Sequence, residues 1–201
     1  MGKARIDENL LFEAALEEFS TYSYEEASIN RIIEKAAISK GSFYYRFENK
    51  YGLYLHLLKE GAGKKWEFIR KEMERRGTAA KDDDIYSLFM IQTELGIRFA
   101  HAHPKLHRLA GMFAREKGSE IYDRALAALG GDDQSGMDDM IDKAMEKGEI
   151  SNKYSRDFAK AILSFLFGSF DKIFPGSGNE GLEETLDHME ELVTFMRRGL
   201  S

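Results

Sequence analysis

Cysteine is missing from this 201-residue chain, proline occurs twice and tryptophan once. Without cysteine there is no disulfide framework, no thiolate nucleophile and no cysteine-ligated zinc or iron–sulfur cluster. That usage suits a reducing compartment, and a cytoplasmic location is expected. Apolar runs are short: residues 161 to 167 form the nearest approach to the ~20 residues of a membrane span, so no membrane association is expected. The amino terminus, Met-Gly-Lys-Ala-Arg-Ile-Asp-Glu, is too charged for a secretory signal. An excess of positive charge is lacking too. The net charge is −6, and residues 1–50 hold seven Lys/Arg against nine Asp/Glu. This excludes a broadly basic coat and leaves room only for small local clusters of cations.

The residues that are present, 43% of them apolar, suffice for a substantial core. Their spacing predicts an all-α chain. Ser28 is placed to cap a short helix with Ile29, Ile32, Ile33 and Ala36 on one face, and Ser39 restarts the pattern after only Ala37 and Ile38. Two helices joined so tightly must cross steeply, which is helix-turn-helix geometry. Lys40, Gly41 and Ser42 lie in the second helix's first turn, where free N–H groups favour phosphate oxygens. Phe43 and Phe47, four apart, are the expected core anchors. Tyr44 and Tyr45 then point elsewhere, among Lys40, Arg46 and Lys50, and this mixture of hydroxyls, rings and cations suits phosphates and thymine methyls.

In these residues the chain resembles the TetR family of transcriptional regulators. Its signature, Ser-x-Gly-(Ser/Thr)-(Leu/Phe)-Tyr-x-x-Phe-x-x-Lys-x-x-Leu, is matched by Ser39, Gly41, Ser42, Phe43, Tyr44, Phe47, Lys50 and Leu53. The resemblance covers about the first quarter of the chain. It implies that Lys40, Gly41, Ser42, Tyr44 and Tyr45 meet double-stranded DNA in the major groove, with Ser28 and Lys50 on flanking phosphates. Ala37 stands where the family often has a turn glycine, and a positive φ at alanine costs on the order of 1 kcal/mol.

The remaining periodicity predicts a first helix from Ile6 to Phe19 and a long fourth from Lys50 to about Arg76 with Gly61 and Gly63 in its middle. Further helices are expected over 85–101, 104–113, 119–129, 135–147, 155–174 and 182–200. The division expected is a three-helix DNA-binding domain at 1–50 and a larger effector-binding and dimerisation domain at 51–201. The last helix carries Leu182, Leu186, Met189, Val193, Met196 and Leu200 in 4-3-4-3-4 spacing, and its predecessor is apolar almost all round. A homodimer seam is therefore expected at Ile162, Phe165, Gly168, Ser169, Leu186, Met189, Val193 and Met196. The aromatics and methionines crowding the middle read as core or as a cavity for an apolar effector. The cavity reading selects Trp66, Phe89, Met90, Thr93, His107, Met112 and Phe113.

Other motifs carry less. Gly176-Ser-Gly178-Asn-Glu-Gly181 spells a dinucleotide fingerprint but follows a helix, not a strand, and reads as a loop. His101, His103 and His107 are interrupted by Pro104 and lack a carboxylate at matched spacing. The acidic run from Asp132 to Asp142 fails the EF-hand template at Gln134 and Gly136. No metal, cofactor or catalytic set is expected. The expected function is a DNA-binding regulator, most simply a dimeric repressor released from a palindromic operator by a small-molecule effector. The alternative is a helical enzyme or carrier with an incidental helix-turn-helix.

Overall fold

The computed structural model describes residues 8–77, 84–130, 135–175 and 182–200. Among these every regular element is helical: α1 (Glu8–Phe19), α2 (Ile29–Lys35), α3 (Lys40–Arg46), α4 (Lys50–Arg76), α5 (Ile85–Ala102), α6 (Pro104–Arg115), α7 (Glu120–Ala128), α8 (Ser135–Glu146), α9 (Arg156–Gly168), α10 (Phe170–Ile173) and α11 (Leu182–Leu200). One expected helix is divided. The span 155–174 is interrupted at Ser169, whose side chain is buried and whose carbonyl takes the N–H groups of Lys172 and Ile173. Gly168 before it and the serine itself are poor helix formers, and periodicity alone does not register such a break. The Gly176–Gly181 loop and the start of the acidic run lie outside the described residues.

By packing, the chain forms two compact units, one of residues 1–67 with 102–132 and the other of residues 68–101 with 133–201. In the first, α1 buries Leu11, Ala14, Ala15, Leu16 and Phe19 and packs on α2, which buries Ile32 and Ile33, while α3 buries Phe43. Helix α6 also packs on α1, and Lys105 reaches Glu17 at 2.8 Å and Glu13 at 3.5 Å. The ammonium beside it, through hydrogen bond and charge, holds the Glu17 carboxyl below its usual range. Gly61 lies under α6, where an added Cβ would touch Leu106 Cδ2 at 3.4 Å, whereas Gly63 faces open space. Glycines within a helix allow close packing or a bend, and these two differ: Gly61 serves close packing, and α4 runs unbroken through both.

In the second unit Ile85, Tyr86 and Phe89 of α5, Ile141 and Ala144 of α8, Ala159 and Leu163 of α9 and five residues of α11 make one core. Its polar ties are specific. Asp84 accepts the Ser87 N–H at 2.8 Å, capping α5, and takes Arg197 at 2.8 Å. Glu94 lies between Arg76 and Arg98, both at 2.6 Å, and the Arg76 hydrogen bond leads the effects that hold its carboxyl down to about 2. A carboxyl depressed in the folded state stabilises above its unfolded value near 4.5 and loses that contribution as pH falls toward 2. Glu94→Gln should flatten acid unfolding in that window, as followed by circular dichroism.

Candidate nucleic-acid interface

The turn between α2 and α3 is a Schellman motif. The N–H of Ile38 bonds the carbonyl of Ile33 at 3.1 Å and that of Ala37 bonds Glu34 at 3.1 Å, with Ala37 at φ 52°. Helix α8 closes in the same way, Glu149 to Ala144 and Gly148 to Met145, but there glycine holds the left-handed position at φ 73°. Ala37 thus carries the strain its sequence position foretold. Because its side chain is exposed, Ala37→Gly should stabilise the chain by about 0.5–1 kcal/mol, the relief exceeding the added chain entropy. Urea unfolding midpoints measure it.

Both reading helices are capped by the serines the sequence marks. Ser28 Oγ accepts the Arg31 N–H at 3.5 Å, a long bond, and Ser39 Oγ accepts that of Ser42 at 3.0 Å while lying 2.9 Å from Ser42 Oγ. Phe43 is fully buried, and its ring meets Tyr44 edge-on at 5.1 Å. That anchor turns the other side of α3 outward: Lys40, Gly41 and Arg46 are exposed, Tyr44 is largely so, and Tyr45 is 81% exposed. A Cβ at Gly41 would meet only Ser39 Oγ at 3.8 Å, so the helix surface is bare there and another backbone or a base edge can come close.

Two expectations need correction. Phe47 is not a second core anchor: α3 ends at Arg46, and Phe47 caps it in extended conformation, half-buried. Lys50 does not present its ammonium to a phosphate. Its Nζ donates to the carbonyls of Tyr24, Glu25 and Ala27 at 2.7, 3.1 and 3.1 Å and lies 4.5 Å from the Tyr24 ring, which uses all three donors. Lys50 ties the loop before α2 to the start of α4, and so positions the reading pair from within.

A buried carboxylate fixes the same loop. Glu18, 7% exposed, accepts the Ser28 N–H and Arg31 Nε, each at 2.8 Å, and pairs with the Arg31 terminal nitrogen. The Arg31 plane also covers Tyr22. Glu116, the C-cap of α6, accepts the Tyr24 N–H at 2.9 Å, within an aromatic group of Phe19, Tyr24 and Tyr54. Burial raises the Tyr24 phenol above its usual range. Glu18 is ten residues from Ser28, and no local sequence pattern marks the pair.

The residues selected for an effector fall in both units. Trp66, His107, Met112 and Phe113 belong to the first unit and Phe89, Met90 and Thr93 to the second. Trp66 is 63% exposed and His107 is exposed, while Phe113 stacks on Tyr122 at 4.7 Å. The seam divides as well. Met189, Val193 and Met196 are buried in their own core and Ser169 is buried, so these four do not face outward; Ile162 and Leu186 are half-buried. The side of α9 and α11 left to solvent carries Phe165 (64% exposed) and Phe195 (66% exposed), together with Phe158. Both helices are apolar on more than one side, and spacing cannot tell the inner from the outer. Among the described residues no group of three His, Asp or Glu could hold a metal ion, and no helix is long and apolar enough to cross a membrane.

Residues 11–57 match the family model described as bacterial regulatory proteins, tetR family. Over 187 residues the chain is 22% identical to the HTH-type transcriptional repressor AcnR of Corynebacterium glutamicum, covering 91% of this chain and 90% of that protein. A TetR family transcriptional regulator from Chloroflexus aurantiacus shares the fold at a TM-score of 0.69, with 23% identity over 96% of this chain and 92% of that one. So does the transcriptional regulator FadR from Bacillus subtilis, solved in complex with stearoyl-CoA, at a TM-score of 0.68, with 15% identity over 96% of this chain and 99% of that one. The amino-terminal helices of the chain are those of the TetR family of regulatory proteins, and the chain as a whole shares the fold of solved family regulators. It is a DNA-binding transcriptional regulator and not an enzyme.

Proposed function

We propose that this regulator is a homodimeric repressor that reads a near-palindromic operator through Lys40, Gly41, Ser42, Tyr44 and Tyr45, with Ser28, Ser39 and Arg46 beside the phosphates. The observation that carries this reading is the outward side of α3: two exposed tyrosines and a lysine around a bare glycine, opposite a fully buried Phe43. Phosphate contacts orient such a helix, and side chains at base edges select sequence. The small basic footprint of one head favours pairing two of them, about one turn of B-DNA (~34 Å) or a multiple apart. Lys40→Ala and Tyr45→Ala should each weaken operator binding by about 1–3 kcal/mol while helix content stays unchanged. Unaltered affinity in both would remove α3 from the interface.

The functional division at residue 50 belongs to the same proposal: the head reads, and residues 51–201 pair the subunits and take the effector. Phe165 and Phe195 support pairing through the outer side of α9 and α11. Met90, Met140 and Met145, half-buried around the second core, support an apolar effector in that unit, because such side chains can part to admit a ligand. The stearoyl-CoA in the complex of the Bacillus subtilis neighbour makes a long-chain acyl thioester the first effector to try. A true effector must weaken DNA binding by the same factor by which DNA weakens its own.

A further inference from the structure

The loop between α1 and α2 is held by side chains from three helices. Lys50 of α4 takes the carbonyls of Tyr24, Glu25 and Ala27, and Glu18 of α1 takes the Ser28 N–H. The third tie comes from far along the chain. Glu116 Oε1 accepts the Tyr24 N–H at 2.9 Å across a separation of 92 residues. Buried Ala27 donates its N–H to the Ser23 carbonyl at 2.9 Å, so Tyr24 and the Ser28 cap of α2 belong to one short turn. Glu116 is itself held on both sides. Its N–H bonds the Phe113 carbonyl at 3.1 Å, and its carbonyl takes the Ser119 N–H at 2.9 Å as Gly118, at φ 92°, turns the chain toward α7. The other end of α6 is tied to α1 through Lys105 and Glu17, and α7 is tied to α4, where the Arg124 guanidinium lies 3.9 Å from the centre of the Tyr51 ring. All of these residues belong to the first unit.

We propose that Glu116 is a positioning residue for DNA reading: from the end of α6 it holds the turn that sets the cap of α2. Both α2 and α3 have seven residues and take their order from such ties, since helices this short are marginal alone. They are joined through the closed turn at Ala37, so the start of α2 fixes where α3 and its outward side chains stand. The bond crosses the division at residue 50, and a residue of the carboxy-terminal part thereby sets the geometry of the head. Its sign is informative. An acid in a chain that binds DNA repels phosphate, so its removal strengthens binding if charge alone acts. Here the acceptor oxygen matters, and its removal should weaken binding instead. That consequence rests on the reading of DNA by α3, whereas the hold on the cap of α2 does not.

The test compares Glu116→Ala with Glu116→Gln in the full chain, by amide hydrogen exchange without DNA and by binding to a duplex selected from random sequences. In the alanine variant the Tyr24 and Ser28 amides should exchange about tenfold faster, because the turn opens locally. The selected duplex should bind about three- to tenfold more weakly, as expected for one lost hydrogen bond, while an unrelated duplex of equal length binds as before. Glutamine keeps the acceptor and loses the charge. It should restore both the protection and the affinity to within about twofold of the parent chain. Unchanged exchange at Tyr24 or at Ser28, an alanine variant that binds as tightly as the parent or more so, or a glutamine variant as weak as alanine would overturn the proposal. If the parent chain selects no duplex, reading by α3 fails and its consequence with it, whereas the exchange rates alone decide whether Glu116 holds the cap of α2.

Discussion

Phe43→Ala is expected to destabilise the amino-terminal helices by about 3–5 kcal/mol and to abolish operator binding with them. The ring is fully buried, and it is the single buried side chain of α3. A seven-residue helix has no stability of its own, since isolated helices below ~12 residues are marginal in water. Its order comes from that anchor, the Ser39 cap and the turn before it. Phe47→Ala should cost much less, about 1–2 kcal/mol, because its ring is only half-buried. Urea unfolding of the two variants measures the contrast. Equal losses would mean that Phe43 is not what holds α3 in place.

Phe165→Glu combined with Phe195→Glu should convert a dimer into a folded monomer. Both rings are already largely exposed in the single chain, so charging them leaves the intrachain core intact. In a paired α9 and α11 face, by contrast, each carboxylate would lose water without gaining a partner. Light scattering should show the mass fall to that of one 23.0 kDa chain. Operator affinity should drop by about 10²-fold or more, because two linked heads gain from effective concentration and a single head does not. Val193→Glu should instead unfold the second unit, since Val193 is buried in its core. A double variant that stays dimeric would move the interface elsewhere.

Much of this architecture is local and therefore legible in the chain. The ranges of α4 and α11, the caps at Ser28 and Ser39, Pro104 at the start of α6 and the strained alanine at 37 all follow from residue types at fixed offsets. The outward tyrosines of α3 follow from the buried Phe43 one position before them. What depends on distant partners was not legible. Lys50 matches a phosphate-binding position of the family motif, yet its ammonium is taken by three carbonyls more than twenty residues away. Glu18 looks like one more surface acid until the Ser28 N–H and Arg31 close on it. Trp66, with its large apolar ring, reads as core or pocket and stands in solvent. In α11 the regular stripe Met189, Val193 and Met196 belongs to the fold, while Phe195, off that stripe, is the ring left in solvent.

The claim that this chain reads DNA as a two-fold dimer is tested most directly by selection of bound sequences from a pool of random duplexes with the purified full-length protein. An enriched inverted repeat is predicted, its half-sites separated by about ten base pairs or a multiple of that. Recovery of no enriched sequence, or of a single unrepeated half-site, would contradict it.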